Sequence, residues 1–266
     1  TIDYNTSADA VVIGYSNGNV DLIKDMTTIN LPDIKNFTIS GNKQIYNIHC
    51  DNQFAYLATG FGIVVIDVAK EEVKDTYIIG DGGAYVQVND VATDGTKIYA
   101  AMTDGIKEAD LSNNFLSDFS QWSDIDTVPN GKEVASLEHF DGYLYGAFVH
   151  PTQDDSAYRY NGILWQLDTT TISRDIRQIR SNFGMLSYIT YGVVFNSNGL
   201  NDLHEPIYNN GGNSFDPFSC YYDGSTTWIG TNSVGLIKAI SNWNTAVIRP
   251  EGPKFVENYS LNISDG

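Results

Sequence analysis

The chain of 266 residues is 42% hydrophobic and 12% aromatic, and its 15 Lys and Arg face 33 Asp and Glu, a formal charge of −18. That acidity repels phosphate backbones and sets nucleic acid aside as a partner, leaving a solvated surface, calcium or a cationic partner as its uses. No stretch approaches the ~20 apolar residues of a membrane-spanning helix.

Along the chain six glycines, Gly18, Gly62, Gly105, Gly162, Gly199 and Gly235, each close a short apolar strand before another apolar run begins, at intervals of 44, 43, 57, 37 and 36 residues. Self-similarity at a period of about 40 residues, built from short strands, predicts an all-β propeller with one four-stranded antiparallel blade per repeat. The first repeat opens inside a strand, Ile2-Asp3-Tyr4-Asn5, which aligns with Tyr46-Asn47-Ile48-His49 of the second. Within a repeat the first strand runs into an Asp-Gly turn, as at Asp94-Gly95 and Asp223-Gly224, where both turn residues accept positive φ. A second strand of small and aromatic residues follows, such as Ile98-Tyr99-Ala100-Ala101. The third ends in Asp (Val65-Ile66-Asp67), and the outer fourth is more polar.

The fourth repeat departs from this frame. Tyr145 aligns with Tyr56, yet it stands 17 residues before its glycine where Tyr56 stands 6, so eleven extra residues fall between the second and third strands, around His150 to Tyr160. Insertions into regular repeats carry binding function, and in a meander this loop lies on the face of the blade-to-blade connections. Tyr158, Arg159 and Tyr160 pair aromatic faces with a positive fork and are the candidate ligand-binding residues, suited to a sugar or an anionic group. Farther on, Ile172 to Arg180 reads as strand and turn, not helix. The chain ends on Tyr259-Ser260-Leu261-Asn262-Ile263-Ser264-Asp265-Gly266, one more first strand and its turn. The expectation is one propeller domain over 1–266, six repeats plus an extra terminal strand, taken from a longer multidomain protein.

Other groups with chemical potential are weak as sites. Cys50 and Cys220 fall in the second and sixth repeats, blades that are not neighbours, so a disulfide is out of reach and both read as small buried hydrophobes. His49, His139, His150 and His204 lack metal-ligand spacing. Asn196 to Asp202 has the composition of a calcium loop without its alternating acids, and reads as a turn. Asp3, Asp90, Glu133 and Glu138 lie in or near first strands, which line a propeller axis, and a glycosidase would need two of them facing each other at ~5–10 Å. Asp90, however, aligns with Asn47 in a recurring pattern that points to hydrogen bonding. With no nucleophile elbow, phosphate loop or dinucleotide fingerprint, no cofactor or metal is expected and the domain reads as non-catalytic, with a glycoside hydrolase acting through these carboxylates as the third alternative.

Trp228-Ile229-Gly230-Thr231 ahead of Gly235-Leu236 resembles the two-component-regulator propeller repeat. Three segments, Tyr15 to Asp21, Ala55 to Val65 and Asp75 to Gly80, are similar in order and spacing to the first propeller of PorZ-type proteins, surface components of the Bacteroidetes type IX secretion machinery. That resemblance implies an exported, non-catalytic domain at the periplasm or outer surface of a Gram-negative cell. It also implies a seventh blade before Thr1, a second propeller and a β-sandwich beyond the chain, and a role in attaching secreted cargo, with a sortase-like protease and anionic lipopolysaccharide as partners. The alternative is the periplasmic oligosaccharide-sensing propeller of a hybrid two-component histidine kinase.

Overall fold

A computed structural model describes residues 1–248 apart from 40, 127, 128, 130–132, 151, 153, 154, 173, 203–205, 208, 211, 212, 233, 242 and 243. Its elements are almost all strands, ordered as antiparallel meanders that follow one another around an axis. Blade 1 holds β1 (Ile2–Asn5), β2 (Ala10–Gly14), β3 (Val20–Lys24) and β4 (Thr27–Leu31). Blade 2 holds β5 (Ile45–Asp51), β6 (Phe54–Thr59), β7 (Gly62–Asp67) and β8 (Glu72–Tyr77). Blade 3 holds β9 (Val88–Thr93), β10 (Lys97–Met102), β11 (Gly105–Asp110) and β12 (Ser123–Asp124). Blade 4 holds β13 (Val134–Phe140), β14 (Tyr143–Phe148), β15 (Ser156–Tyr160) and β16 (Trp165–Leu167).

Blade 5 holds β17 (Ile176–Asn182), β18 (Met185–Thr190) and β19 (Val193–Ser197), and is followed by a small hairpin of β20 (Asn209–Asn210) and β21 (Asn213–Ser214). Where the other blades have a fourth strand, the described part of blade 5 has a single bridge between Val194 and Ile207. Blade 6 holds β22 (Pro217–Tyr222), β23 (Thr227–Thr231), β24 (Leu236–Ala239) and β25 (Thr245–Ile248).

Five apolar layers hold consecutive blades together. Val12, Val20 and Leu22 of blade 1, for example, pack on Ile45, Ile48, Leu57 and Val64 of blade 2. Between blades 5 and 6 the layer is Ile189, Val194, Ile229 and Ile237 with their neighbours. The described residues form six blades in a ring; a seventh is not among them, and the terminal segment Tyr259 to Gly266 lies outside the described residues. The facing surfaces of blades 6 and 1 are the least covered. Ile2 takes the register place that Ile48, Val91, Leu137 and Ile179 bury, yet it is 59% exposed, as are Leu236 (39%) and Ile248 (44%) across the seam.

The glycine frame holds for three blades and slips in the next two. Gly62 and Gly105 open the third strands with φ of 138° and 146°, and a Cβ on Gly62 would collide with the Tyr77 carbonyl. In blade 4 the third strand comes before Gly162, and in blade 5 β19 comes before Gly199, so neither glycine separates strands two and three. In blade 5 that turn holds Gly192 (φ 80°), 43 residues before Gly235, the interval that also separates Gly62 from Gly105. The repeat is therefore more regular than the six glycines suggested.

Candidate functional site

One irregularity recurs at the axis. The innermost strands of blades 2 to 6 each shift register once, between Ile45 and Asn47, Val88 and Asp90, Val134 and Ser136, Ile176 and Gln178, and Pro217 and Ser219. A bulge inserts one residue, sharpens the twist and re-aims side chains, which suits strands converging on a crowded axis. The inserted residues are Tyr46, Asn89, Ala135, Arg177 and Phe218. All sit at the strand end nearest the turns between second and third strands, so they ring one mouth of the axis.

Behind them runs a row of polar residues, Asn47, Asp90, Ser136, Gln178 and Ser219, of which the first three tie blades together while Gln178 Oε1 is buried without a partner among the described residues. Asp90, 1% exposed, accepts from its neighbour Val91 N–H at 2.8 Å, from Ser136 Oγ at 2.6 Å and from Leu137 N–H at 3.0 Å in the next blade. Asn47 Nδ2 donates to it from the preceding blade, and Ser136 Oγ in turn accepts from Ile179 N–H of blade 5 at 3.1 Å. Four blades are thus linked through groups that would otherwise be orphaned by the bulge.

Two residues further along each strand stand Asp3, His49, Ala92, Glu138, Arg180 and Tyr221, and of these Asp3, His49, Glu138 and Arg180 act on one another electrostatically beside the axis. Arg180 Nη1 lies 3.3 Å from Asp90 and 3.7 Å from Glu138. Burial works against its charge, but the carboxylates of Asp90, Glu138 and Asp3 outweigh this and hold its pKa above the ordinary value. Burial, countered in part by Arg180 and by a 2.7 Å hydrogen bond from Ser181, pushes Glu138 up to about 7. Burial also lowers the pKa of His49, whose Nε2 meets Thr93 Oγ1 at 2.9 Å. This register pairs Asp3, not Asn5, with His49. The alignment of Asp3 with Asn47 therefore moves by two residues, and Thr1 takes the Asn47 place, donating its hydroxyl to Asn47 at 3.4 Å.

The sequence candidates separate. Tyr158, Arg159 and Tyr160 stand on β15, not in an inserted loop; the second and third strands are joined by residues 149–155, seven where blades 2 and 3 have two, so five are extra and not eleven. Strand alternation splits the trio. Tyr158 packs edge-on to Phe148 (5.3 Å) and Tyr160 stacks on Trp165 (4.9 Å), both in the layer toward blade 3. Arg159 faces the other way, over the Tyr143 ring at 4.2 Å and bonded to Gln166 at 3.0 Å. Glu133 is exposed outside the strand, and the Asp90 and Glu138 pair faces Arg180 with Asp90 sealed among five donors. Asn196 to Asp202 forms a tight turn through Ser197 Oγ and Gly199, and His204 lies outside the described residues. Both cysteines are free thiols in separate blades, and burial pushes Cys220 up to about 11 and Cys50 higher. Arg180 and Arg177 were missed. The recurring apolar-any-polar-apolar-axial pattern, repeated at Val134 to Glu138 and Ile176 to Arg180, was the signal that would have found them.

The mouth has two chemically different halves. On blades 2 to 4 a chain of neutral groups runs from Asn42 Nδ2 to Tyr46 OH (2.9 Å), on to Gln87 Oε1 (3.0 Å), then from Gln87 Nε2 to Asn89 (2.7 Å) and from Asn89 to the Val134 carbonyl (2.9 Å). On blades 5 and 6 Arg177 lies over the rings of Tyr191 (3.4 Å) and Phe218 (4.8 Å) and bonds Asp216 at 2.7 Å.

Residues 1–123 match the model of the N-terminal β-propeller domain of PorZ of the type IX secretion system. No curated protein matches the chain. Among solved structures, PorZ, described as an essential bacterial surface component of the type IX secretion system of Porphyromonas gingivalis, superposes with a TM-score of 0.80 at 19% identity, over 99% of this chain and 34% of that one. The extracellular domain assigned to a hybrid two-component system of B. thetaiotaomicron gives 0.66 at 15% identity, over 97% and 34%. YCF48 from Cyanidioschyzon merolae gives 0.63 at 9% identity, over 93% and 83%. The chain thus spans about a third of the length of the first two. Among the described residues no helix is long and apolar enough to cross a membrane. Residues 1–123 carry the sequence pattern of the PorZ N-terminal β-propeller family, and the chain as a whole carries its fold.

Proposed function

We propose that this propeller is a non-catalytic docking domain of an exported, cell-surface attachment component of type IX secretion, and that it engages its ligand at the bulged mouth of the axis. The family match over residues 1–123 carries the reading. The chemistry of the axis supports it: the acidic side chains there are held by backbone donors, Ser136, Ser181 and Arg180, as ties between blades, and Asp90 has no accessible oxygen to offer a substrate. The partners implied are a sortase-like protease of the secretion apparatus and surface lipopolysaccharide. Cells carrying the parent gene with this propeller excised should release secreted cargo into the medium; cargo kept on the surface at the ordinary level would reject the reading.

A second reading, an oligosaccharide-sensing propeller of a hybrid two-component system, is favoured by the fold shared with the B. thetaiotaomicron domain. Excision would then abolish a transcriptional response to a glycan and leave cargo attachment unchanged.

A further inference from the structure

We propose that the Tyr191, Arg177 and Phe218 cluster at the mouth is a stacking site for an uncharged hexose unit of a glycan; this rests on the docking reading above and names its ligand class. Tyr191 and Phe218 are 65% and 55% exposed although each already offers a ring to the same guanidinium. Exposed aromatic rings are costly to leave in water, and here they are also held in place, which lowers the entropy lost on binding. The hold is specific. Phe218 is the inserted residue of the blade 6 bulge and Arg177 that of blade 5, so backbone register fixes both. Asp216 and the Pro217 carbonyl, at 2.7 and 3.2 Å, fix the guanidinium from beneath.

Charge decides between ligands. Arg177 is the one cation among the inserted residues, and Asp216 already neutralises it, so a carboxylate or phosphate would have to displace a formed ion pair within a chain of formal charge −18. The other half of the mouth offers Tyr46, Gln87 and Asn89, neutral groups able both to donate and to accept, as sugar hydroxyls require. The apolar C–H face of a hexose suits the rings, and the polar half of the mouth suits the hydroxyls of a glycan chain. A proline-rich peptide would also stack, but it brings few donors for the amide half.

Calorimetric titration of the 266-residue chain with cellohexaose, mannohexaose and maltohexaose, and with oligogalacturonate as the anionic counterpart, tests this. At least one neutral hexasaccharide should bind. Tyr191→Ala and Phe218→Ala should each weaken it by roughly tenfold or more, Tyr191→Phe should keep most of the affinity, and 0.5 M salt should leave it unchanged. Neutral binding that is intact in both alanine variants, with unaltered melting temperatures, overturns the site alone. Tight binding of oligogalacturonate that salt abolishes overturns the ligand class. Binding of none of the four sugars overturns the site and the glycan side of the docking reading together, while cargo release on excision would still uphold the attachment role.

Discussion

Arg180 on blade 5 and Asp90 on blade 3 are 90 residues apart in the chain, and their side chains meet at 3.3 Å beside the axis. The pair skips blade 4, which enters through Ser136 and Glu138, so three blades share one charge network. Breaking a buried ion pair by removing one partner leaves the other uncompensated. Asp90→Ala is expected to destabilise the chain by about 3 kcal/mol or more, and Asp90→Ala with Arg180→Met by less than the sum of the two. Urea unfolding of the four members of the cycle checks it, and additive losses would show that the network does not couple the blades.

Glu138 gives a pH signature. Its folded pKa of about 7 lies above the ordinary value of 4.5, so the folded state favours the protonated acid. Stability from this group is full below pH 4.5 and is lost as pH rises through about 7, because burial opposes the charged form, Arg180 and Ser181 offset that only in part, and Asp90 and Asp3 add to it. Glu138→Gln should therefore melt higher than the unaltered chain at pH 8, and the gap should close by pH 5. His49 runs the other way: burial lowers its pKa and favours the neutral ring, so its contribution is full above the ordinary value of 6.5 and is lost as pH falls below it through the lowered value. Melting curves of Glu138→Gln across pH 5 to 8 isolate the first effect.

The two third-strand glycines are distinguishable. A Cβ on Gly105 meets open space, whereas one on Gly62 strikes the Tyr77 carbonyl, and both carry φ that L residues resist. Gly105→Ala should cost about 1–2 kcal/mol and Gly62→Ala clearly more. Equal losses in thermal unfolding would mean that backbone strain alone sets the requirement.

On β15 the aromatic residues are core and the arginine is surface. Trp165 stacks on Tyr160 and meets Phe148 at 4.9 Å, so Trp165→Ala should cost about 3 kcal/mol or more. Arg159→Ala should lower stability by less than about 1 kcal/mol and leave ligand capture unchanged. Loss of capture in Arg159→Ala, with intact melting, would return the site to this strand.

Propeller architecture was legible because short strands, Asp-Gly turns and a fixed repeat are local signals. Blades 2 and 3 were read in frame, and blade 1 from its second strand onward, since Gly18, Gly62 and Gly105 sit at the turn between second and third strands; the first strand of blade 1, with no glycine to anchor it, was set two residues off. Blades 4 and 5 were not, because Gly162 and Gly199 are ordinary glycines just past the third strand, and an alignment anchored on them pushed Tyr158 to Tyr160 into a loop. The apolar spacing of Ala157, buried between Tyr145 and its neighbours, carried the correct frame. The axis was half legible: Asp90 was read as a hydrogen-bonding residue and Glu138 as axial. Arg180 was hidden because its strand, broken by the bulge at Arg177, shows no clean alternation. Bulges are invisible to a period-two pattern, and here they build the mouth.

The most direct test of the account is a retention assay: the chain is immobilised and a purified surface lipopolysaccharide is passed over it, with capture and release of new reducing ends measured together. The account predicts that glycan is held, that Tyr191→Ala and Phe218→Ala release it, and that no reducing ends form. Reducing ends that accumulate, and vanish in Glu138→Gln, would contradict it.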